Sequence, residues 1–300
     1  MEWDIAAAGI MVGFVIGLTG MGGGALMTPI LVLLFHVDPS AAISSDVVAS
    51  FFLKPVGGAV HARRGTVNWR MVRWLSVGSV PAALAGAFVI DRLAGQGLED
   101  AIKHLLGWML LVAGLATLAK VAVQVRRRIV NDALMDPALV RPLPTVAVGL
   151  LGGFVVGLTS VGSGSIMIVC LMLLYPMLSS RETVGTDLVQ AVPLVGAAAL
   201  GHLLFGEFHL GLTTSVLVGA LPGVWAGAHI SSRAGDHYIR PVLVAVLVVI
   251  GLKLLDVPNA ALLTVTAVAL VTLVTWFVVS ARRTVPAAVI AVADAADVVT

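Results

Sequence analysis

The stretch Gly13-Phe14-Val15-Ile16-Gly17-Leu18-Thr19-Gly20-Met21-Gly22-Gly23-Gly24 returns 140 residues later as Gly153-Phe154-Val155-Val156-Gly157-Leu158-Thr159-Ser160-Val161-Gly162-Ser163-Gly164. Each copy sits inside a long apolar run, so a glycine-rich break is expected at membrane depth in both halves of the chain. Paired breaks at corresponding places are a pattern of transporters built from repeats.

Composition sets the class. Of 300 residues, 59% are hydrophobic and 11% charged, and the mean hydropathy is +1.05, which together describe an integral membrane protein. The formal charge of +2 is too small to imply nucleic acid as a partner. Cys170 is alone, which excludes an internal disulfide or a multi-cysteine metal site. The opening Met1-Glu2-Trp3-Asp4 lacks the basic region and cleavage site of a signal peptide, so the first apolar stretch is expected to stay in the protein.

Apolar segments fall at 5–35, 41–62, 68–90, 98–123, 145–175, 181–205, 209–231, 237–255 and 259–280. Two of them, 5–35 and 145–175, exceed the roughly 20 residues that cross a 30 Å hydrocarbon layer. They read as half-helices folded into re-entrant hairpins at the glycine motif, or else as long, tilted, kinked helices. The repeat continues beyond the motif at an offset of 141: Asp46 matches Asp187, His61 matches His202, Gly78 matches Gly219, Pro81 matches Pro222 and Gly86 matches Gly227.

Loop charges predict the orientation of the two halves. Arg63, Arg64, Arg70 and Arg73 follow the second segment, whereas the equivalent stretch around Glu207 and His209 has no Lys or Arg. The positive-inside rule puts the first loop in the cytoplasm and the second outside. The next pair reverses: Asp91, Arg92, Glu99, Asp100 and Lys103 are net negative, Arg233, Asp236 and Arg240 net positive. Inverted repeats follow. The expected fold is all-α: 1–125 as first repeat, 126–144 as a basic cytoplasmic linker, 145–257 as second repeat, 258–283 as an appended transmembrane helix and 284–300 as a tail. Each repeat would hold one glycine-broken hairpin and three transmembrane helices, giving seven crossings in all.

Ionisable side chains at membrane depth are expensive and usually functional. Asp46, Lys54 and His61 share segment 41–62 and can share one helical face. The matching segment offers Asp187, Gln190 and His202, with Val195 where Lys54 has its equivalent, so the site is pseudo-symmetric. The aspartates could instead sit at the water interface, and the histidines could simply pack. Lys54 lies too deep for easy snorkelling and is the expected electrostatic anchor. Asp46 and Asp187 are the candidate proton carriers, and Asp187, without a lysine in its own segment, is the better one. Half-helices starting at Gly22, Gly23 and Gly24, or at Gly162 and Gly164, would point unpaired N–H groups at an anion, with Thr19, Thr159, Ser160, Ser163 and Ser165 adding hydroxyls. The competing reading is close helix packing by glycine.

These motifs, with Val60-His61-Ala62-Arg63-Arg64-Gly65-Thr66-Val67-Asn68-Trp69, Gly185-Thr186-Asp187, Gly78-Ser79-Val80-Pro81 and Gly219-Ala220-Leu221-Pro222-Gly223, resemble the TauE/SafE sulfite exporter family over nearly all of 5–255. The resemblance implies an inner-membrane transporter for sulfite, sulfonates or related small anions, with the glycine-rich turns lining the path. No HExxH, GxSxG or P-loop motif occurs. The expectation is therefore a secondary transporter without cofactor or metal, with a channel-like or assembly protein as the alternative and a membrane enzyme behind both.

Overall fold

The fold is that of a computed structural model, which describes residues 3–19, 23–126, 136–206, 209–231, 236–269 and 272. The described chain is helical: α1 Trp3–Thr19, α2 Met27–Leu34, α3 Pro39–Arg63, α4 Trp69–Gly95, α5 Glu99–Arg126, α6 Pro142–Thr159, α7 Ile166–Leu174, α8 Ser180–Phe205, α9 Leu210–Ser231 and α10 Asp236–Leu254, with a short 3-10 turn at Gly23–Ala25. One compact unit ends at Val257; the second begins at Pro258 and contains helix α11, Asn259–Ala269. Glu207, Arg233, Arg282, Arg283, residues 127–135 of the linker and the expected tail lie outside the described residues.

Six described helices are long and apolar enough to cross a membrane, at Pro39–Arg63, Trp69–Gly95, Glu99–Lys120, Pro142–Thr159, Arg181–Phe205 and Leu210–Gly227. Large apolar side chains such as Trp3, Trp108, Leu143 and Trp225 stand exposed, as they can where the surrounding solvent is hydrocarbon. Local sequence sets several boundaries. Asn68 caps α4 by accepting from Met71 N–H, and Ser179 caps α8 by accepting from Glu182 N–H, each meeting one of the donors a helix start leaves free.

Both long apolar segments are broken, and the breaks fall later and less evenly than the sequence suggests. Residues 13–19 and 153–159 are helical, so neither helix is interrupted within the first seven positions of its motif. The first limbs, α1 and α6, have 17 and 18 residues, the second limbs, α2 and α7, only 8 and 9. α6 is itself long enough to span, where a half-helix was expected.

The reason is packing. A Cβ added at Gly13 would meet the backbone of Ala220, one at Gly153 the backbone of Ser79, and one at Gly157 the backbone of Ala83. These glycines bring helix backbones together, as small residues do in membranes, and do not break the helices that carry them.

The contacts are reciprocal between halves. Gly9 lies against Val216 and Gly219 and Gly13 against Ala220, running α1 parallel to α9; Gly149 lies against Leu75 and Gly153 against Ser79, running α6 parallel to α4. At the offsets of the repeat, the second set is the first with the halves exchanged. α3 and α8, which are equivalent, run antiparallel: Ser44 meets His202, Phe51 meets Gly196 and Gly57 meets Leu188.

Candidate functional site

The two breaks touch. A Cβ at Gly24 would run into the backbone and hydroxyl of Ser160, so glycine is required there for the close approach. Ser160 ends α6 in the left-handed region (φ 60°), and Gly162 and Gly164 follow at φ 117° and 90°, conformations that favour glycine at the latter two. Of the motif positions, Gly22 lies outside the described residues, and Thr19 is described only as the last residue of α1.

Hydroxyls of the second break meet the charges of α3. Ser160 Oγ donates to Asp46 Oδ2 at 2.8 Å, and Thr28 Oγ1 of α2 donates to the same oxygen at 2.8 Å. Lys54 Nζ donates to Ser163 Oγ at 2.5 Å. Asp46 and Asp187 are each 2% exposed and Lys54 9%, so three ionisable groups are packed inside the bundle. The interfacial reading of the two aspartates therefore does not describe this structure.

Lys54 lies electrostatically between Asp187 and Asp46 and makes no ion pair within 4 Å among the described residues. Asp187 has no lysine in its own segment, but the fold brings two to it from other helices. Antiparallel packing of α3 on α8 brings Lys54 to it, Lys120 of α5 also acts on it, and the Gly164 N–H is hydrogen-bonded to it.

At the second break the start of α7 differs from the helix end expected there. The first N–H groups of α7, those of Ser165, Ile166 and Met167, are directed at the Gly162 carbonyl at 3.4, 3.1 and 3.3 Å, so they are not presented to a ligand. Thr159 is committed to its own backbone, donating to Val155 O at 2.8 Å and accepting from Val161 N–H at 3.3 Å. Ser165 is buried without a capping hydrogen bond. Of the remaining hydroxyls, Ser160 is committed to Asp46 and Ser163 accepts from Lys54.

The histidines part company. His61 is half-buried and bonded to Thr66 Oγ1 at 3.0 Å, at the end of its own helix, so it does not join Asp46 and Lys54. His202 is fully buried, with Nε2 2.9 Å from Gly157 O and Nδ1 3.1 Å from Ser44 Oγ. A carbonyl can only accept, so Nε2 carries the hydrogen. His202 thus ties α8 to α6 and α3 just before the second break. Gln190 Nε2 donates to Ser79 Oγ at 2.6 Å, joining α8 to α4. Sequence reading missed Thr28, Ser44 and Ser79. Each is a hydroxyl in an apolar helix, and the only signal was polarity at depth.

A family model described as sulfite exporter TauE/SafE matches residues 5–254. The chain belongs to this family. It is 35% identical over 257 residues to "Probable membrane transporter protein YjnA" of Bacillus subtilis (strain 168), covering 85% of this chain and 100% of that protein. It is 24% identical over 245 residues to "Probable membrane transporter protein YdhB" of the same organism, covering 82% and 96%. "Probable membrane transporter protein MJ0441" of Methanocaldococcus jannaschii is 24% identical over 266 residues, covering 82% and 94%. No solved structure matches. As a TauE/SafE member the chain is a multi-pass membrane protein of a transporter family, not an enzyme. In this member, Ser160 and Ser163 stand where the first copy of the motif has Gly20 and Gly23, and these two serines hold Asp46 and Lys54.

Proposed function

We propose that this protein is a secondary transporter of a small anion, of the sulfite, sulfonate or related carboxylate class, working in the cell inner membrane by moving two inverted repeats against each other. The observation that carries the reading is Lys54: a buried ammonium held by Ser163 in the second break and not closed onto either carboxylate. A buried cation with one hydroxyl partner can exchange that hydroxyl for an oxyanion, and the Ser163 hydroxyl, which only accepts from Lys54, can then donate to it. The inverted arrangement is supported by the antiparallel course of α3 and α8 and of α5 and α10, where Gly107 meets Gly251 and Gly114 meets Val248. Equivalent helices that pack antiparallel are related by an axis lying across the helices, as in inverted repeats.

Charge supports proton coupling. With both aspartates ionised, Asp46, Lys54 and Asp187 sum to one negative charge, and an entering anion makes that two. In a low-dielectric interior such an excess is strongly unfavourable, so a proton taken up on one aspartate would travel with the anion. Asp187 is the reading's proton carrier, because Asp46 already accepts two hydroxyl hydrogen bonds.

The test is reconstitution of the purified protein in liposomes with counterflow of sulfite, sulfate, small sulfonates and small carboxylates. Exchange of at least one of them, and its accumulation when a pH gradient is imposed, is the expected result. A folded protein that exchanges none of them would overturn the reading, and a conductance without counterflow would make it a channel.

A further inference from the structure

Two buried oxygens on one face of α8 have no hydrogen-bond partner among the described residues: Oδ1 of Asp187 and Oε1 of Gln190. Their residues are 2% and 0% exposed, so water at the surface does not explain them. Three positions apart on a helix, the two side chains are neighbours, about 5–6 Å between Cβ atoms. With Nε2 donating to Ser79 Oγ of α4 at 2.6 Å, Oε1 is the unpaired atom of the Gln190 amide.

An ionised carboxylate and an amide oxygen are both acceptors, and neighbouring buried acceptors without a donor lack a hydrogen. A single proton on Asp187 Oδ1 supplies it, turning that oxygen into a donor with Gln190 Oε1 as its acceptor. We propose that Gln190, aimed by Ser79, is the positioning residue that holds the transported proton on Asp187. The inference rests on the proton-coupled reading above and adds to it a residue and an order of events.

The charged groups facing Asp187 are Lys54 from α3 and Lys120 from α5, while the Gly164 N–H approaches it from the second break. A proton arriving from the aqueous phase is repelled by the Lys54 ammonium until an anion lies beside that ammonium and cancels its field. Anion first, proton second is the resulting order, with Gln190 accepting the hydrogen bond that keeps the neutral acid in place. On release the anion leaves first, and the unmasked Lys54 ammonium then drives the proton back to water.

The experiment uses the full chain as wild type, Gln190→Leu, Ser79→Ala and Asp187→Asn, in liposomes, with two readouts. The first is the pH profile of sulfite exchange together with accumulation driven by a pH gradient. Gln190→Leu is expected to move the profile to lower pH by about one unit, tenfold in proton concentration, because the neutral acid loses its acceptor. Ser79→Ala moves it the same way by less, and Asp187→Asn removes accumulation but keeps exchange. The second readout is infrared difference spectroscopy of acid titration, which needs no transport. It should show a protonated-carboxyl band that Asp187→Asn abolishes and that Gln190→Leu and Ser79→Ala shift to higher frequency. Unmoved profile and band in both the Gln190 and Ser79 variants overturn the proposal and leave proton coupling standing. A sodium gradient that drives accumulation where a pH gradient does not also overturns it, giving the two oxygens to a sodium ion. A wild type that transports no anion defeats the transport reading alone, and the infrared band still decides the role of Gln190.

Discussion

The Lys54 ammonium of α3 is held by the Ser163 hydroxyl, 2.5 Å away in the break between α6 and α7. A charge carried by the first half of the chain is therefore positioned by an insertion-like turn of the second. A charge-assisted hydrogen bond contributes about 1.5–3 kcal/mol. Ser163→Ala should consequently lower anion exchange roughly tenfold and destabilise the protein, whereas Ser165→Ala, which removes no capping hydrogen bond at the helix start, should do less. Lys54→Arg should rescue little, since a planar guanidinium does not replace a compact ammonium in a fitted site. Counterflow rates set beside melting temperatures in detergent separate the two effects.

The meeting of the breaks makes a steric prediction. Gly24→Ala puts a methyl group into the backbone of Ser160, and Gly13→Ala and Gly153→Ala put one into the backbones of Ala220 and Ser79. Overpacking of this kind costs about 1–3 kcal/mol and more where backbone must move. All three variants should melt lower than wild type, with Gly13→Ala and Gly153→Ala close to each other because their surroundings are equivalent. Gly95→Ala is the control. Nothing lies within 4 Å of its added Cβ, and alanine in a helix gains about 0.5–1 kcal/mol over glycine. A melting order that does not separate Gly95→Ala from the other three contradicts the packing.

His202 and His61 are equivalent in sequence and unequal in the fold. His202→Leu removes the donor to Gly157 O and the partner of Ser44, leaving buried polar atoms unmet at about 1–3 kcal/mol. His61→Leu, half-exposed beside Thr66, should change stability by less than half that. Thermal unfolding of the two variants side by side checks the ranking.

At the end of the first unit, Asp256 accepts from Lys103 at 2.6 Å and pairs with His104 at 3.1 Å. The hydrogen bond from Lys103, then that from His104, holds its carboxyl below the usual aspartate range. A depressed pKa gives stability that is present above the unfolded value and is lost as pH falls through the folded one. Asp256→Asn should therefore melt slightly below wild type at neutral pH, and the two curves should converge on acidification below the ordinary aspartate range. The gap should also narrow in high salt, since the pair is exposed.

Much of this architecture was legible in the chain because it is written in spacing. The glycine motif recurs 140 residues on, and an offset of 141 carries Asp46 to Asp187 and His61 to His202, so the correspondence of the halves was readable from spacing. Lys54 stood out because a lysine at that depth is costly wherever it points. The exact break was not legible: Gly13 and Gly153 look like Gly24 and Gly164 in sequence, and only the neighbouring helix decides that the first pair packs while the second pair sits at a turn. Nor could a single segment show that Lys54 reaches Asp187, because that proximity comes from the antiparallel course of α3 along α8. Thr28 and Ser79 were silent for the same reason. A hydroxyl in an apolar helix acquires meaning only when Asp46 or Gln190 is known to face it.

The central claim, that an anion is carried past Lys54, is tested most directly by exchange of radiolabelled sulfite in liposomes holding wild type or Lys54→Ala at equal amounts of folded protein. The account predicts that wild type exchanges label and that Lys54→Ala loses at least tenfold in rate, as expected when a buried ammonium that meets the anion is removed. Equal exchange by the two proteins would contradict it, leaving Lys54 a structural cation and placing the path elsewhere.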